Sequence, residues 1–175
     1  MADPLDANGL LAAAEADTGL CDWGDATFHD RFARAVELIR SAKMNEASQR
    51  VAATNIHGLL TDRLRFFDDH IHYGLGKEVI ERPLFVTGEP RSGTTLLHAL
   101  LSVDPAARAL RFWEVMHPSP PPGLAQPDDP RRALADTEWC EINARLPHWL
   151  RSHPYNDMLG DGLPEGFDLR MEETL

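Results

Sequence analysis

The feature that most constrains the fold of this chain is an apolar segment that runs into two glycines and then into an apolar helix. Residues 83–87 read Pro-Leu-Phe-Val-Thr, a composition typical of a buried parallel strand. Gly88 and Gly93 follow, and the pattern predicts a helix over residues 94–102. Because glycine lets the backbone bend where a Cβ would obstruct it, this unit directs backbone N–H groups and a helix dipole into one concavity. The sequence therefore predicts a phosphate-binding loop in an α/β fold.

The loop differs from a nucleotide P-loop in the position of its cation. The two glycines have the spacing of G-x-x-x-x-G-K-[S/T], but Thr94 stands where the lysine belongs, and Arg91 supplies the positive charge from within the loop. Ser92, Thr94 and Thr95 add hydroxyl groups. Without the lysine that reaches a γ-phosphate, ATP or GTP hydrolysis is not expected. The alternative is a glycine-containing turn that matches this pattern by chance. The strand, both glycines, the cation and the hydroxyl groups all stand at the positions that a phosphate-binding loop requires, which argues against chance.

Composition narrows the class of protein. The chain has 175 residues, 43% of them hydrophobic, which is ordinary for a globular domain with its own core. A formal net charge of -11 argues against nucleic acid binding through a basic surface. No stretch is long and apolar enough for a membrane span. Cys21 and Cys140 stand alone, as reduced thiols in the cytoplasm would. We therefore expect a cytoplasmic protein with no nucleic acid or membrane partner.

The chain divides into three segments by pattern. Residues 1–26 form an acidic leader, interpreted as a frayed helix or a flexible tail. Residues 27–78 form a helical segment, with one helix predicted at 28–43 and a longer one after an Asn45 cap. Residues 79–175 contain the α/β part. In that part we expect a second strand at 109–116, a proline-rich loop at 117–127 and a helix at 131–146.

At this point the sequence resembles the sulfotransferases that use 3′-phosphoadenosine 5′-phosphosulfate (PAPS). The resemblance lies in the Pro-Arg-Ser-Gly-Thr-Thr loop at residues 90–95, followed by Leu-Leu-His-x-Leu-Leu, Asp-Pro, and an aromatic-Trp-Glu-Val-Met run that leads into prolines. It implies a P-loop-like three-layer α/β fold with a parallel sheet, and transfer of a sulfuryl group to a hydroxyl or amine of a small-molecule acceptor. It also implies that the loop holds the 5′-phosphosulfate, through Gly88, Pro90, Arg91, Ser92, Gly93, Thr94 and Thr95. In that family the loop cation, here Arg91, lies near the bridging oxygen.

The acceptor must lose a proton, and two residues are candidates for the base. Glu114 lies close to where the protein-tyrosine sulfotransferases, which share the loop, carry their catalytic glutamate. His117 heads the proline-rich loop and is the second candidate. Each also has a structural interpretation, Glu114 as a carboxylate that holds local structure and His117 as a loop histidine. His70 and His72 lack a third ligand at useful spacing, so no metal is expected.

The sequence departs from the family in one respect. The arginine and serine that hold the cofactor's 3′-phosphate are not found on a later strand and helix, and Arg151 with Ser152 is only a weak local pair. We therefore expect an N-terminal portion of a sulfotransferase, incomplete at its C-terminus. The alternative function is a degenerate or truncated P-loop nucleotide-binding protein without transferase activity. The acceptor and the oligomeric state are not specified by any residue.

Overall fold

The computed structural model describes residues 3–89, 92–145 and 158–164. The described chain forms two compact units, one ending at Lys77 and one beginning at Glu78.

The first unit is helical throughout its regular elements. Its helices are α1 (Ala7–Thr18), α2 (Phe28–Ser41) and α3 (Glu46–His72), followed by a short 3₁₀ turn at Leu75–Lys77. Asp6 caps α1, because its carboxylate accepts a hydrogen bond from the Gly9 N–H at 3.1 Å. Asn45 caps α3 in the same way, accepting from the Ser48 N–H at 2.8 Å. The Asn45 cap and the start of α2 at Phe28 confirm the sequence predictions.

The core of this unit lies between α1, α2 and α3. It contains Leu5, Leu10, Leu11, Ala14, Trp23, Phe28, Phe32, Val36, Ile56, Leu60 and Leu64. The acidic leader predicted at residues 1–26 therefore contains a helix, α1, which packs on α3 and contributes three buried side chains to the core. A Gly-Ala-rich helix has a weak hydrophobic period, so its core contacts are hard to detect from sequence.

The second unit is built around α5 and α6. Its helices are α4 (Thr94–Leu101), α5 (Phe112–Met116) and α6 (Pro130–Arg145), with 3₁₀ turns at Pro122–Leu124 and Leu159–Asp161. Phe112 packs edge-on against Trp139 with ring centroids 4.3 Å apart, and both side chains are buried. At Gly160 an added β-carbon would lie 3.0 Å from Cβ of Ala135, so only glycine allows the last turn to approach α6 this closely.

The predicted strand at residues 109–116 is wrong, since Phe112–Met116 is a helix. Its first turn is fixed by two contacts that a short apolar run does not reveal. The Glu114 carboxylate accepts from the Arg111 N–H, and the Phe112 N–H donates to the carbonyl of Gly162 at 2.8 Å. Tertiary contacts thus override the strand propensity of the segment.

The predicted strand at residues 83–87 is not assigned as a strand either, and the described ranges contain no sheet. A strand is stabilised by the hydrogen bonds of a neighbouring strand, and the described chain offers none beside this segment. Leu84 and Phe85 are exposed there to 73% and 82%. The helix predictions at residues 94–102 and 131–146 are confirmed within one residue over the part described. None of the described helices meets the length and apolarity needed to cross a membrane.

Candidate active site

The glycine loop is the first element of the candidate site. A β-carbon placed on Gly88 would lie 2.7 Å from the Ser92 hydroxyl oxygen and 3.0 Å from Cγ2 of Thr94. The loop therefore closes tightly enough to bring the Ser92 and Thr94 side chains against the backbone of residue 88. This requirement explains why glycine stands at the end of the apolar segment.

The second loop glycine starts α4. Gly93 has a left-handed conformation, with φ +92°, and its carbonyl accepts the first helical hydrogen bond from the Leu97 N–H at 3.0 Å. Just before it, the Ser92 N–H donates to the Glu89 carbonyl at 3.1 Å and closes a turn. Thr94 and Thr95, both half-buried, form the first turn of the helix. The N-terminal end of an apolar helix thus meets the hydroxyls of the loop, which is the geometry of an anion site.

Two residues of the predicted loop, Pro90 and Arg91, lie outside the described residues. The weak candidate pair Arg151 and Ser152 also lies outside them.

Glu114, the first candidate base, is engaged through both carboxylate oxygens. Oε2 accepts from the Arg111 N–H at 2.8 Å and Oε1 accepts from Nη2 of Arg108 at 2.9 Å. The side chain is only 10% exposed. These contacts give Glu114 a role in starting α5 and holding the preceding loop.

His117, the second candidate base, forms a pair with a carboxylate that sequence analysis missed. Its Nε2 lies 2.7 Å from Oε2 of Glu138 on α6. No described residue hydrogen-bonds to its Nδ1. The backbone is held as well, because the His117 N–H donates to the Trp113 carbonyl at 3.0 Å and Nη1 of Arg131 donates to the His117 carbonyl at 2.9 Å.

Arg131 is itself fixed by a largely buried ion pair. Its Nε and Nη2 donate to the two oxygens of Asp129 at 3.0 and 2.9 Å, with side-chain exposures of 11% and 12%. The hydrogen bonds from Arg131 hold the pKa of Asp129 well below its usual value, at about 2. The Arg131 guanidinium also lies over Trp113, 5.0 Å from its ring, and donates to the Pro120 carbonyl. Arg131 thus ties the proline-rich loop to α6.

The structure therefore brings the predicted site residues into two groups within the second unit. The first group is the loop, which contains Gly88, Ser92, Gly93 and Thr94. The second group is His117 together with its contacts, which are Glu138 and the Asp129–Arg131 pair. Asp129 could have been anticipated from the Asp-Pro that begins a helix, since its carboxylate accepts from the Arg131 N–H at 3.0 Å. Glu138 gives no such signal, because it contacts His117 across 21 residues of sequence. The ranges described contain no cluster of three or more metal-ligating side chains.

Comparison with known proteins relates the second unit to one enzyme family. The sequence model of the Sulfotransferase family matches residues 83–161, which include the loop, α5, α6 and the His117–Glu138 pair. No curated protein sequence matches the chain.

Two solved structures are similar to nearly the whole chain. The sulfotransferase STF1 from Mycobacterium tuberculosis H37Rv is 26% identical with a TM-score of 0.75, and the match covers 98% of this chain and 48% of that protein. The sulfotransferase STF9 from Mycobacterium avium is 25% identical with a TM-score of 0.76, over 97% of this chain and 44% of that protein. The chain thus spans about half the length of these structures, and it has their fold over that half. The chain is thus similar to sulfotransferases in sequence over residues 83–161 and in fold over nearly all of its length.

Proposed function

We propose that this chain binds PAPS and takes part in transferring its sulfuryl group to a hydroxyl or amine of a small-molecule acceptor in the cytoplasm. The observation that carries the proposal is the tight glycine loop, in which Gly88 lets the Ser92 and Thr94 side chains close on the backbone at the start of α4. The same loop lies inside the segment that the family model matches.

In this proposal the loop residues Gly88, Pro90, Arg91, Ser92, Gly93, Thr94 and Thr95 hold the 5′-phosphosulfate. Backbone N–H groups and hydroxyls bind the phosphate oxygens, and Arg91 lies near the oxygen that bridges phosphorus and sulfur. Negative charge develops on that oxygen as the S–O bond breaks. Fixed donors and a guanidinium at this position stabilise the transition state more than the ground state.

The base that accepts the acceptor's proton is proposed to be Glu114 or His117. Proton acceptance requires a free lone pair within reach of the acceptor. Each oxygen of Glu114 accepts a hydrogen bond that ties the carboxylate to Arg108 or to the start of α5, whereas Nδ1 of His117 has no hydrogen-bond partner among the described residues. This difference favours His117 as the base and Glu114 as a residue that holds α5.

We further propose that residues 83–87 form a strand of a parallel sheet where further strands lie beside them, in a P-loop-like three-layer fold. The apolar side chains of this segment support the proposal, because Leu84 and Phe85 are largely exposed here and a buried strand would cover them. The solved sulfotransferases contain about as much chain again as the part that this protein matches. That additional length is where we propose the remaining strands of the fold.

The proposal can be tested by transfer of radioactive sulfate from ³⁵S-labelled PAPS. The assay uses the full chain with a phenol, an alcohol and an amine as separate acceptors. Arg91→Ala is expected to lower transfer by about 100-fold or more, because it removes a donor aimed at developing charge. The matched control is Arg145→Ala, which removes an exposed arginine that pairs only with Glu141 among the described residues. Absence of transfer by the unmodified chain to every acceptor, or equal rates for the two variants, would overturn the proposal.

A further inference from the structure

Helix α6 presents two side chains to the same histidine. Arg131 and Glu138 are seven residues apart, so they lie two turns apart on one face of α6. Arg131 donates to the carbonyl of His117 at 2.9 Å, and Glu138 lies 2.7 Å from its Nε2. The backbone and the ring of His117 are therefore both fixed by α6.

We infer that Glu138 is a positioning residue that fixes His117 as the proton acceptor in sulfuryl transfer, an inference that rests on the proposed function. A carboxylate accepts a hydrogen bond from Nε2–H and so selects the tautomer in which Nδ1 carries the free lone pair. The same carboxylate stabilises the imidazolium that forms when Nδ1 takes up a proton.

The acceptor oxygen forms a bond to sulfur while its proton moves to Nδ1 of His117. The S–O bond to the 5′-phosphate breaks, and its electron pair stays on the phosphate oxygen of 3′-phosphoadenosine 5′-phosphate (PAP). The histidine then returns its proton to water. The only co-reactant is PAPS, which the proposed function supplies.

Two observations distinguish the His117–Glu138 pair from an ordinary surface ion pair. The side chains of His117 and Glu138 are 19% and 35% exposed, whereas those of the Arg145–Glu141 pair of α6 are 70% and 60% exposed. In addition, the position of His117 is set by a chain of contacts that includes the Asp129–Arg131 pair. Exposed pairs seldom contribute measurably, but a ring held at both its backbone and its nitrogen is ordered in one orientation.

Glu138→Ala tests the inference, with Glu141→Ala as the matched control. Both variants remove a glutamate from α6 and leave a strong helix former. The first readout is the His117 Nε2–H proton in the NMR spectrum of the full chain, assigned by its loss in His117→Asn. We expect a downfield resonance protected from exchange with water, lost in Glu138→Ala and kept in Glu141→Ala. A wild-type spectrum without this resonance would overturn the inference.

The second readout compares two acceptors of different acidity in the ³⁵S transfer assay. Benzyl alcohol must give up a proton during transfer, whereas p-nitrophenol is largely ionised in the mildly alkaline buffer of the assay. Glu138→Ala is expected to lower kcat by about 100-fold with benzyl alcohol and by less than about 3-fold with p-nitrophenol, with KM little changed. A purely structural defect would lower both rates equally.

The outcomes separate the two claims. If the wild-type chain transfers sulfate and Glu138→Ala behaves like Glu141→Ala, the inference about Glu138 fails and the proposed function stands. Equal losses with the two acceptors would also overturn the inference. If the wild-type chain transfers sulfate to neither acceptor and does not bind PAP, the proposed function fails, and the inference fails with it.

Discussion

At the scale of single residues, the strictest requirement in the loop is the absence of a side chain at residue 88. An added β-carbon would lie 2.7 Å from the Ser92 hydroxyl oxygen, a distance that real β-carbons essentially never show. Either Ser92 or the backbone must then move, and both belong to the proposed phosphosulfate site. The conformation of the loop therefore depends on this glycine more than on any side chain that it carries.

Gly88→Ala is expected to weaken PAP binding by about 10-fold or more, because loop donors shifted by a few tenths of an ångström no longer point at the phosphate. Calorimetric titration of the full chain with PAP measures the change. The control is Gly123→Ala, since an added β-carbon there meets no heavy atom within 4 Å. Equal affinities of the two variants would contradict the predicted closure of the loop.

The Asp129–Arg131 pair makes a prediction about acid stability. The pKa of Asp129 is lowered from 3.8 to about 2 by the hydrogen bonds from Arg131, so its ionised form stabilises the folded state. This contribution is complete above about pH 4 and is lost as the pH falls through about 2. The free energy of unfolding of the wild-type chain should therefore exceed that of Asp129→Asn at pH 5, and the difference should shrink steadily towards pH 2. If the difference in free energy of unfolding between the two proteins did not change with pH over this range, the Asp129–Arg131 pair would not be the cause of the loss of stability in acid.

At the scale of elements, the long helices were predictable and the short one was not. The Asn45 cap and the apolar period after it predict α3, and the glycine at residue 93 predicts the start of α4. Five-residue α5 is too short for a period to be read, and its hydrogen bond to Gly162 crosses 50 residues of sequence. Its strand-like composition therefore led to a wrong prediction.

Proximity in sequence decided which parts of the candidate site could be predicted. The loop is contiguous in sequence, so its glycines and hydroxyls could be recognised together. Glu138 contacts His117 directly and Asp129 is linked to it through Arg131, and neither could be assigned to His117 from spacing.

Helix α2 offers a direct test of the first unit's core. Phe32 is fully buried and stacks with Phe28, whose ring centroid is 5.9 Å away, whereas Leu38 on the same helix is 72% exposed. Phe32→Ala should lower the free energy of unfolding by about 3–5 kcal/mol, because it leaves a cavity among aromatic rings. Leu38→Ala should change it by no more than about 0.5 kcal/mol. Urea denaturation followed by helical circular dichroism measures both values, and similar losses would contradict the described core.

At the scale of the whole molecule, the second unit exposes a concentration of apolar side chains. They occur before the loop and along α4, at Val79, Ile80, Leu84, Phe85, Leu96, Leu97, Leu100 and Val103. Soluble monomers seldom expose so many large apolar side chains in one stretch of chain. The proposed sheet would bury this surface, and the solved sulfotransferases have about twice the length of this chain with which to do so.

Substitutions at Leu84 and Phe85 test whether this surface is exposed. The double variant Leu84→Ser/Phe85→Ser should bind less of a hydrophobic dye and remain soluble at higher concentration, with little change in melting temperature. Phe112→Ser is the contrasting control, because Phe112 is 7% exposed and packs on Trp139, so its loss should lower the melting temperature. A large drop in melting temperature for the double variant would show that these side chains are buried.

Calorimetric titration of the full chain with PAP and with ADP tests whether the glycine loop is a PAPS site. We expect PAP to bind more tightly than ADP, because the proposed co-substrate carries a 3′-phosphate that ADP lacks. We also expect Arg91→Ala to weaken PAP binding by about 10-fold or more, through loss of a charge-assisted hydrogen bond. Failure to bind PAP, equal affinity for the two nucleotides, or PAP binding that is indifferent to Arg91 would contradict a PAPS site in this loop.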